Sequence, residues 1–559
     1  MYILTLCFLC YSLMSVNSEN PRVTINDGEL EGTMMKTKNG REINVFLGIP
    51  YAEPPIGKLR FKSPVPRKPW KGTLDATKSH TICPQRIFFI DSEVMGNENC
   101  LYLNVYAPKI PSANSKLLPV MVFIHGGGFL FGTGRSESYS PGYLLDQEIV
   151  LVTLNYRLGA LGFLSTDDDA SPGNYGLKDQ ALALKWVNKN IKYFGGDPSS
   201  VTLFGESAGA VSAHYHIFSP MSKGLFHGVI SQSGTVFNIW AVIPEGRNIK
   251  SAKKLAESVG CSTTTNMEMV ECLRNVDALK LVDERLFSVW NEVLPLPFRP
   301  TVEPPSQDAF LADYPAKLFE AKKFNDVPFM TGITKDEGLL TSSVFVNKPE
   351  SLEKLSKNFN NMTAFSLWYD HVDDSNKISE QLQTFYLGDK GSLTIDDFPN
   401  LIKMHSDVTF TRGLDQSVRM HLRESKKPIF TYLFAYQSES SFSELINPGK
   451  IYGVSHGDEL LYLFPMGDTM LPHRKETDTD KKVMKLMTSY WTNFAKTGNP
   501  TPTTDDLITA KWEPVQSDKL EHLLIDAEIQ EMKDELLPDR VKFCRQLPLE
   551  QNKVQRDEL

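Results

Sequence analysis

The chain has 559 residues, of which 41% are hydrophobic and 23% charged, as in an ordinary globular protein. Its formal net charge of −9 argues against nucleic acid and anionic membranes as partners, because both favour a basic surface. The length would suit about three to four average domains, but large α/β enzymes often keep a single core, and the sequence contains no convincing linker.

The first 18 residues, MYILTLCFLCYSLMSVNS, have the character of a secretory signal peptide. The apolar run is short for a membrane span, and Val16 and Ser18 are small residues suited to cleavage after Ser18. No Lys or Arg precedes the run, and a buried strand or an anchor is the alternative interpretation. We predict a signal peptide over 1–18, a mature chain without a transmembrane segment, and entry into the secretory pathway.

Apolar, β-rich runs recur along the mature chain and predict strands buried on both faces of a sheet. A helical repeat over 180–194 ends at Gly195-Gly196, and the stretch from about 240 to 325 is helical and Pro-rich. Strands that alternate with helices indicate an α/β fold with a large, mostly parallel central sheet flanked by helices. We expect one domain over 19–545 and a polar tail over 546–559. The runs that predict strands are 121–126, 149–157, 201–205, 227–234, 327–334 and 429–436.

Two stretches match G-x-S-x-G, the frame of the serine-hydrolase nucleophile elbow, namely GESAG at 205–209 and GVSHG at 453–457. An apolar strand precedes Ser207 and a helix with small residues follows it, as the sharp strand-to-helix turn requires. Ser455 lacks both flanks, because NPGKIY is too short and broken for a buried strand. The sequence therefore predicts Ser207 as the nucleophile. It favours His456, which is adjacent to Ser455 in the chain, as the base for Ser207.

Two further motifs complete a candidate catalytic set. HGGGF at 125–129 follows a predicted strand, and the amides of Gly127, Gly128 and Ala208 could form an oxyanion hole, although three glycines can also be a flexible turn. The acid should lie between the serine and the histidine. GITKDEG at 332–338 offers both Asp336 and Glu337, and spacing does not separate them.

Five cysteines remain after removal of the signal peptide. In an oxidising compartment, short local loops favour the pairs Cys83–Cys100 and Cys261–Cys272 and leave Cys544 odd, although sequence alone does not fix connectivity. Asn361 begins an N-glycosylation sequon, Asn-Met-Thr. His214 and His216 are two residues apart on a predicted helix and do not face one point, so we expect no metal site there.

These motifs resemble the type-B carboxylesterase/cholinesterase family of α/β-hydrolases, and most of all insect carboxylesterases. The resemblance covers nearly the whole mature chain. It is carried by FLGIPYAEPPIGKLRF (46–61), ENCLYLNVYAP (98–108), HGGGF, GNYGLKDQ (173–180), GDPSSVTLFGESAG (196–209), SQSG (231–234), GITKDEG and HGDEL (456–460).

The resemblance implies a serine carboxylesterase that acts on small-molecule esters through an acyl-enzyme, with no metal or organic cofactor. It implies Glu337 rather than Asp336 as the acid and His456 as the base. Ser233 would be a supporting group near the acid, Trp240 would help to wall the acyl pocket, and Glu206 would border the site. The family's two local disulfides match the pairs proposed above.

Departures from the family's pattern narrow the range of expected substrates. Cholinesterases carry a choline-stacking Trp inside the first disulfide loop and have a third intrachain pair, and this chain has neither, so acetylcholine is not the expected substrate. Juvenile-hormone esterases resemble the chain too, but usually have Gln at the position of Glu206. One alternative is a juvenile-hormone-type esterase. The other is a catalytically inactive adhesion or binding homologue, against which the chain retains Ser207, His456 and Glu337.

The sequence ends in RDEL, which keeps the basic-Asp-Glu-Leu pattern of the signals for retrieval to the endoplasmic reticulum. Together with the signal peptide, this pattern favours residence in the lumen through a retrieval receptor. The alternatives are an acidic tail without this role, and secretion.

Overall fold

The protein is described by a computed structural model over residues 20–87, 92–112, 114–244, 246–288, 294–346, 349–388, 390–445, 449–466, 470–471 and 474–549. The predicted signal peptide and the RDEL sequence lie outside the described residues.

Eleven strands form one sheet in the order β14-β13-β12-β11-β10-β9-β7-β8-β6-β4-β3, and three others form a small sheet in the order β1-β2-β5. The bounds are β1 Arg22–Ile25, β2 Gly28–Glu31, β3 Thr33–Lys36, β4 Glu42–Pro50, β5 Thr73–Asp75, β6 Tyr102–Ala107, β7 Leu118–Ile124, β8 Val150–Leu154, β9 Gly196–Glu206, β10 Gly228–Gln232, β11 Phe329–Thr334, β12 Ile429–Phe434, β13 His522–Ile525 and β14 Gln530–Lys533.

The centre of the large sheet is parallel, as the sequence predicts. Strands β8, β7, β9, β10, β11, β12 and β13 pair in parallel in that order, and antiparallel pairs flank this block. Glu206 at the end of β9 is opposite Gln232 of β10, which is opposite Gly332 of β11. The carboxyl ends of these strands therefore share one edge, where open α/β sheets bind their ligands.

Each predicted apolar run overlaps one of the parallel strands β7 to β12, and alternation along β7 shows why the runs are apolar throughout. Val122 and Ile124 pack into the core on one face of the sheet, and Met121 and Phe123 pack into the core on the other. Both faces are covered, so a polar residue at any of these positions would be buried without water.

Helices cover the two faces of the sheet. Their bounds are α1 Gly159–Phe163, α2 Tyr175–Asn190, α3 Ala208–Phe218, α4 Arg247–Ser258, α5 Asn266–Arg274, α6 Pro315–Glu320, α7 Leu339–Ser342, α8 Pro349–Lys357, α9 Phe359–Ser366, α10 Ser375–Leu387, α11 Phe398–Ser406, α12 Arg412–Glu424, α13 Asp478–Thr497 and α14 Pro538–Gln546. The helix predicted over 180–194 is α2, continued by a 3₁₀ turn over Ile191–Phe194.

Helix α13 shows how local signals and packing act together. Thr477 caps its start, where the Thr477 hydroxyl accepts from the Asp480 amide and the Asp480 carboxylate accepts from the Thr477 amide. Gly498 ends the helix with a φ of 72°. The indole of Trp491 donates to Gln232 Oε1 over 2.9 Å, so a hydrogen bond connects α13 to the last residue of β10.

The segment from 349 to 424 is largely helical, an organisation that the sequence analysis does not assign. Helices α11 and α12 in this segment are joined by a π-helical turn over Asp407–Thr411. Such turns hold an extra residue per turn and are frequent at functional sites.

Both expected disulfides, Cys83–Cys100 and Cys261–Cys272, are formed, and Cys544 is free and buried. Helix α14 ends at Gln546, and Leu547 and Leu549 beyond it are buried. None of the described helices is both long and apolar enough to cross a membrane.

Candidate active site

Ser207 occupies the turn between β9 and α3. Its φ of 59° and ψ of −126° are unusual for a residue with a side chain, and such strain is typical of a nucleophile elbow. Its amide donates to Gln232 O over 2.9 Å and its carbonyl accepts from Val211 over 3.0 Å. The turn is thus fixed both to the neighbouring strand and to the helix that follows.

The glycines of GESAG are required by the close approach of α3 to the sheet. A Cβ atom at Gly209 would lie 2.0 Å from the carbonyl oxygen of Ile124 in β7, and one at Gly205 would lie 2.5 Å from the carbonyl carbon of Gly209. No side chain fits at either position without moving backbone. The same five-residue frame around Ser455 does not form a strand-to-helix turn.

The predicted oxyanion donors lie beside Ser207. Gly127 and Gly128 line the same cavity as Ser207, and Gly127 has a φ of 103° that favours glycine. The amides of Gly127, Gly128 and Ala208 donate no hydrogen bond to any of the residues that the structure describes. Three free amides near one hydroxyl are the arrangement that a developing oxyanion needs.

His456 and Glu337 form a buried pair. His456 Nδ1 lies 2.6 Å from Glu337 Oε2, and Glu337 Oε1 accepts from the Thr334 amide over 2.8 Å. Glu337 lies three residues after the end of β11 and is fully buried, and each of its carboxylate oxygens has a fixed partner. The structure places Glu337 against the imidazole of His456, and His456 lines the same cavity as Ser207.

Glu206 is a second carboxylate at the same imidazole. His456 Nε2 lies 2.9 Å from Glu206 Oε1, an ion-pair distance with poor alignment for a hydrogen bond. Burial alone would lower the pKa of His456, but the charges of Glu206 and Glu337 outweigh it and raise this pKa well above its usual value. The two carboxylates therefore favour the protonated, imidazolium form of His456.

Two aspartates hold the loop that precedes His456. Asp336 accepts from the Val454 amide over 3.0 Å and donates its own amide to Val454 O over 2.9 Å. Asp458 accepts from the Ser455 amide over 2.7 Å. Asp336, the alternative acid at the sequence level, thus bonds the loop that carries the base to the loop that carries Glu337.

The active-site cavity has a volume of about 190 Å³ and mostly apolar walls. Trp240, predicted to wall the acyl pocket, lines it and donates from its indole to Thr409 O over 2.9 Å. Phe410 also lines it, with its ring 4.7 Å from the His456 ring. Thr409 and Phe410 belong to the π-helical turn, which the sequence analysis missed because no motif marks it.

The remaining predicted residues are less tightly connected to the site. Ser233 is buried after β10, but its hydroxyl has no hydrogen-bond partner among the described residues, so its support of Glu337 stays a prediction. Asn361 is exposed on α9, and its glycosylation also stays a prediction. Glu459 was not singled out, although it lies in the HGDEL motif. Burial, followed by the charges of Glu206 and Glu337, raises its pKa well above the usual value.

His214 and His216 make separate contacts, as their spacing predicts. His214 Nε2 lies 3.1 Å from His421 Nε2, whereas His216 contacts Ser222 and Gln180. Within the described ranges, no group of three or more His, Cys, Asp and Glu side chains could hold a metal ion.

A strained serine at the end of a parallel strand, free amides beside it and a histidine–glutamate pair define a serine hydrolase of the α/β-hydrolase fold. The chain belongs to the carboxylesterase family, whose model matches residues 19–544.

Relatives and a solved structure agree with this assignment. The chain is 40% identical over 500 residues to juvenile hormone esterase of Tribolium castaneum, covering 86% of this chain and 84% of that protein. It is 40% identical over 522 residues to esterase FE4 of Myzus persicae, covering 91% and 88%. The crystal structure of juvenile hormone esterase from Manduca sexta, with OTFP covalently attached, has a TM-score of 0.81 at 28% identity, covering 94% of this chain and 99% of that one.

Proposed function

We propose that this carboxylic ester hydrolase works through an acyl-enzyme on Ser207, with His456 as general base and Glu337 as the residue that orients it. The observation that carries this proposal is the 2.6 Å contact between His456 Nδ1 and Glu337 Oε2. His456 in turn lines the same cavity as the strained Ser207. An inactive homologue would have no use for a complete set of these groups.

In the first half of the reaction, His456 Nε2 takes the proton of the Ser207 hydroxyl as its oxygen attacks the ester carbonyl carbon. The amides of Gly127, Gly128 and Ala208 donate to the carbonyl oxygen as it becomes negative. Loss of one such donor typically costs about 3–4 kcal/mol of transition-state stabilisation. When the tetrahedral intermediate collapses, the bond to the alcohol breaks and His456 returns the proton to the leaving oxygen.

In the second half, His456 takes a proton from water, which attacks the acyl carbon. Collapse of the second intermediate breaks the bond to Ser207, the proton returns to Ser207 Oγ, and a carboxylic acid leaves. Glu337 holds the imidazole so that Nε2 faces the cavity in both halves, and its charge favours the protonated form.

Labelling and substitution test the assignment of the nucleophile. An organophosphonate should attach to Ser207 alone, and p-nitrophenyl acetate should show a burst of nitrophenol. Ser207→Ala should lose at least about a thousandfold of kcat. The control is Ser455→Ala, which should stay near normal, because Ser455 hydrogen-bonds to Asp458 through its backbone amide and carbonyl. A fully active Ser207→Ala variant would refute the proposal.

A juvenile-hormone-type esterase is the second candidate, favoured by similarity to the esterases of Tribolium castaneum and Manduca sexta. The residue Glu206, which borders the cavity, is the sequence feature that speaks against it. A substrate panel that compares juvenile hormone with simple esters of graded acyl and alcohol size would decide. A kcat/KM for juvenile hormone far below that for the simple esters would exclude this candidate.

We also propose that the chain is processed and retained in the secretory pathway, with a signal peptide over 1–18, one domain over 19–545, glycosylation at Asn361 and retrieval through RDEL. The two disulfides support an oxidising compartment. Deletion of RDEL should move the enzyme from cell lysate to medium in cultured insect cells. If the intact protein is secreted equally, retrieval is excluded.

A further inference from the structure

A second cavity, of about 550 Å³, lies outside the active-site cavity and shares no lining residue with it. Its walls include buried apolar side chains from three separate parts of the chain. One loop borders both cavities, because Ile239 lines the second and its neighbour Trp240 lines the first. The apolar wall is formed by Val236, Phe237, Ile239, Ile243, Val372 and Leu549.

The charged side chains at this cavity have one sign. Arg247, Lys250, Lys317 and Arg412 line it, and no acidic residue does so among the residues that the structure describes. This is unexpected in a chain with a formal net charge of −9. Clustered basic groups repel one another, and an anion between them would relieve that repulsion.

The two lysines keep most of their positive charge available to a ligand, whereas Arg247 is paired. Arg247 pairs with Asp370 at 2.6 Å. Lys317 is 3.6 Å from Asp313 in an exposed pair that contributes little, and Lys250 has no ion-pair partner in the described part of the chain. Arg247 and Lys250 also lie on the first turn of α4, where the helix dipole adds positive potential.

A buried arginine that interacts electrostatically with Arg247 adds to the same positive field. Arg299 is only 4% exposed, and its Nε and Nη1 atoms have no hydrogen-bond partner among the described residues. Burial, and then the charge of Arg247, lower the pKa of Arg299 to about 10. Asp370 offsets part of this repulsion, and Arg299 does not itself line the cavity, so its charge adds to the positive potential there without contacting the ligand.

We propose that this cavity is a second binding site for a long-chain carboxylate, separate from the active site. The apolar wall would take the aliphatic tail, and Lys250, Lys317 and Arg247 would face the carboxylate. The volume lies within the range of small-molecule sites in proteins. A carboxylate with an apolar tail is also the class of compound that hydrolysis of a long-chain ester releases, so the enzyme would meet this ligand as it works.

Calorimetric titration with dodecanoate tests the proposal on enzyme whose active site is already blocked by the organophosphonate at Ser207. We expect saturable binding that weakens as salt is added, because the rim is exposed to solvent. The double variant Lys250→Glu/Lys317→Glu should raise the Kd by about tenfold or more, since it replaces two attractions by two repulsions. The variant's activity on a short ester reports that it is folded.

The matched control is Lys253→Glu, which changes an exposed lysine on the same helix that does not line the cavity, and its Kd should stay unchanged. A probe with the same tail and the opposite charge, dodecyltrimethylammonium, should bind far more weakly. The proposal is overturned if dodecanoate does not bind, if the double variant binds it as tightly as the parent, or if the cationic probe binds equally well.

This test stands apart from the assignment of the nucleophile. If Ser207 is not labelled, mass spectrometry shows that directly, and the titration is then carried out on the unmodified enzyme. The comparison between Lys250→Glu/Lys317→Glu and Lys253→Glu still reports on the second cavity, because none of these lysines lines the active-site cavity.

Discussion

His456 is held between two carboxylates rather than one. Glu337 lies at Nδ1 and Glu206 at Nε2, at 2.6 and 2.9 Å. Each negative charge stabilises the imidazolium, which helps once the proton has left serine. In the free enzyme the same charges hold a proton on the base, and a protonated base cannot begin the reaction.

The variant Glu206→Gln should therefore move the acidic limb of the kcat/KM profile to lower pH. Removal of one negative charge lowers the pKa of His456, so more of the imidazole is neutral at a given pH. The measurement is hydrolysis of a p-nitrophenyl ester across pH. Glu513→Gln, which changes a glutamate with a half-exposed side chain paired to Lys511, serves as the control. An unchanged acidic limb in Glu206→Gln would contradict the prediction.

Asp336 connects the acid loop to the base loop through the backbone of Val454. Its carboxylate also fills the space where a side chain at Gly453 would lie, since a Cβ atom there would be 2.3 Å from Asp336 Oδ2. A glycine and an aspartate, distant in sequence, are thus matched to each other. Asp336 therefore acts on His456 only through the backbone of Val454, two residues before it.

We expect Asp336→Ala to lower kcat by between about tenfold and a hundredfold with little change in KM, because His456 would lose part of its support. Asp336→Asn keeps an oxygen that can accept from the Val454 amide and should retain most of the activity. Steady-state kinetics of the two variants provide the test. Equal losses in both would mean that the charge of Asp336, rather than the hydrogen bond, is what matters.

At the scale of elements, the contact between α3 and β7 fixes the height of Ser207 above the sheet. Helix α3 is buried along its whole length, and its small residues allow the close approach. Gly209 is the tightest point of this contact. The geometry of the nucleophile thus depends on packing between two backbones.

Gly209→Ala should destabilise the protein and displace Ser207. Its added methyl group would meet the Ile124 carbonyl at 2.0 Å, and relief of such overlap typically costs about 1–3 kcal/mol. Urea unfolding gives the free energy of unfolding, and ester hydrolysis gives the loss of activity. Gly391→Ala is the control, because a Cβ atom at Gly391 meets nothing within 4 Å. Equal stability of the two variants would refute this account of the elbow.

The strands and the elbow could be predicted because their signals are local. A strand buried on both faces needs an apolar run, and a sharp turn against a strand needs small residues at fixed offsets. Spacing could not separate Asp336 from Glu337, because adjacent carboxylates differ only in where the folded chain points them. The contact between Phe410 and His456 could not be predicted either. An aromatic residue in a helical segment usually belongs to the hydrophobic core, and only the tertiary fold brings Phe410 to His456.

At the scale of the whole molecule, several histidines are buried as neutral side chains. Burial lowers the pKa of His216, His405 and His421 to about 3 in each case, and it lowers the pKa of His214 well below the usual value. In the unfolded chain these groups take up protons near pH 6.5. Their contribution to stability is therefore complete above that pH and is lost as the pH falls toward the folded value.

Replacement of one such residue should reduce the acid sensitivity of folding. Below pH 6.5, His421→Gln should remove about 1.4 kcal/mol of pH dependence per unit from the free energy of unfolding, down to the folded pKa. The comparison of variant and parent isolates this effect from His456, whose raised pKa acts in the opposite direction. Urea unfolding at a series of pH values measures how the free energy of unfolding depends on pH in the parent and in His421→Gln. An identical pH dependence in both would contradict the prediction.

The order of the candidate catalytic residues along the chain also determines when the enzyme becomes active during its synthesis. Ser207 and the glycines of the oxyanion hole emerge from the ribosome first, and Glu337 follows about 130 residues later, in chain order. His456 is separated from Glu337 by a further 119 residues, and β12 gains its outer neighbour only when His522–Ile525 have been made. Under the proposed mechanism, a growing chain contains Ser207 long before His456, and ester hydrolysis begins only in a nearly complete protein.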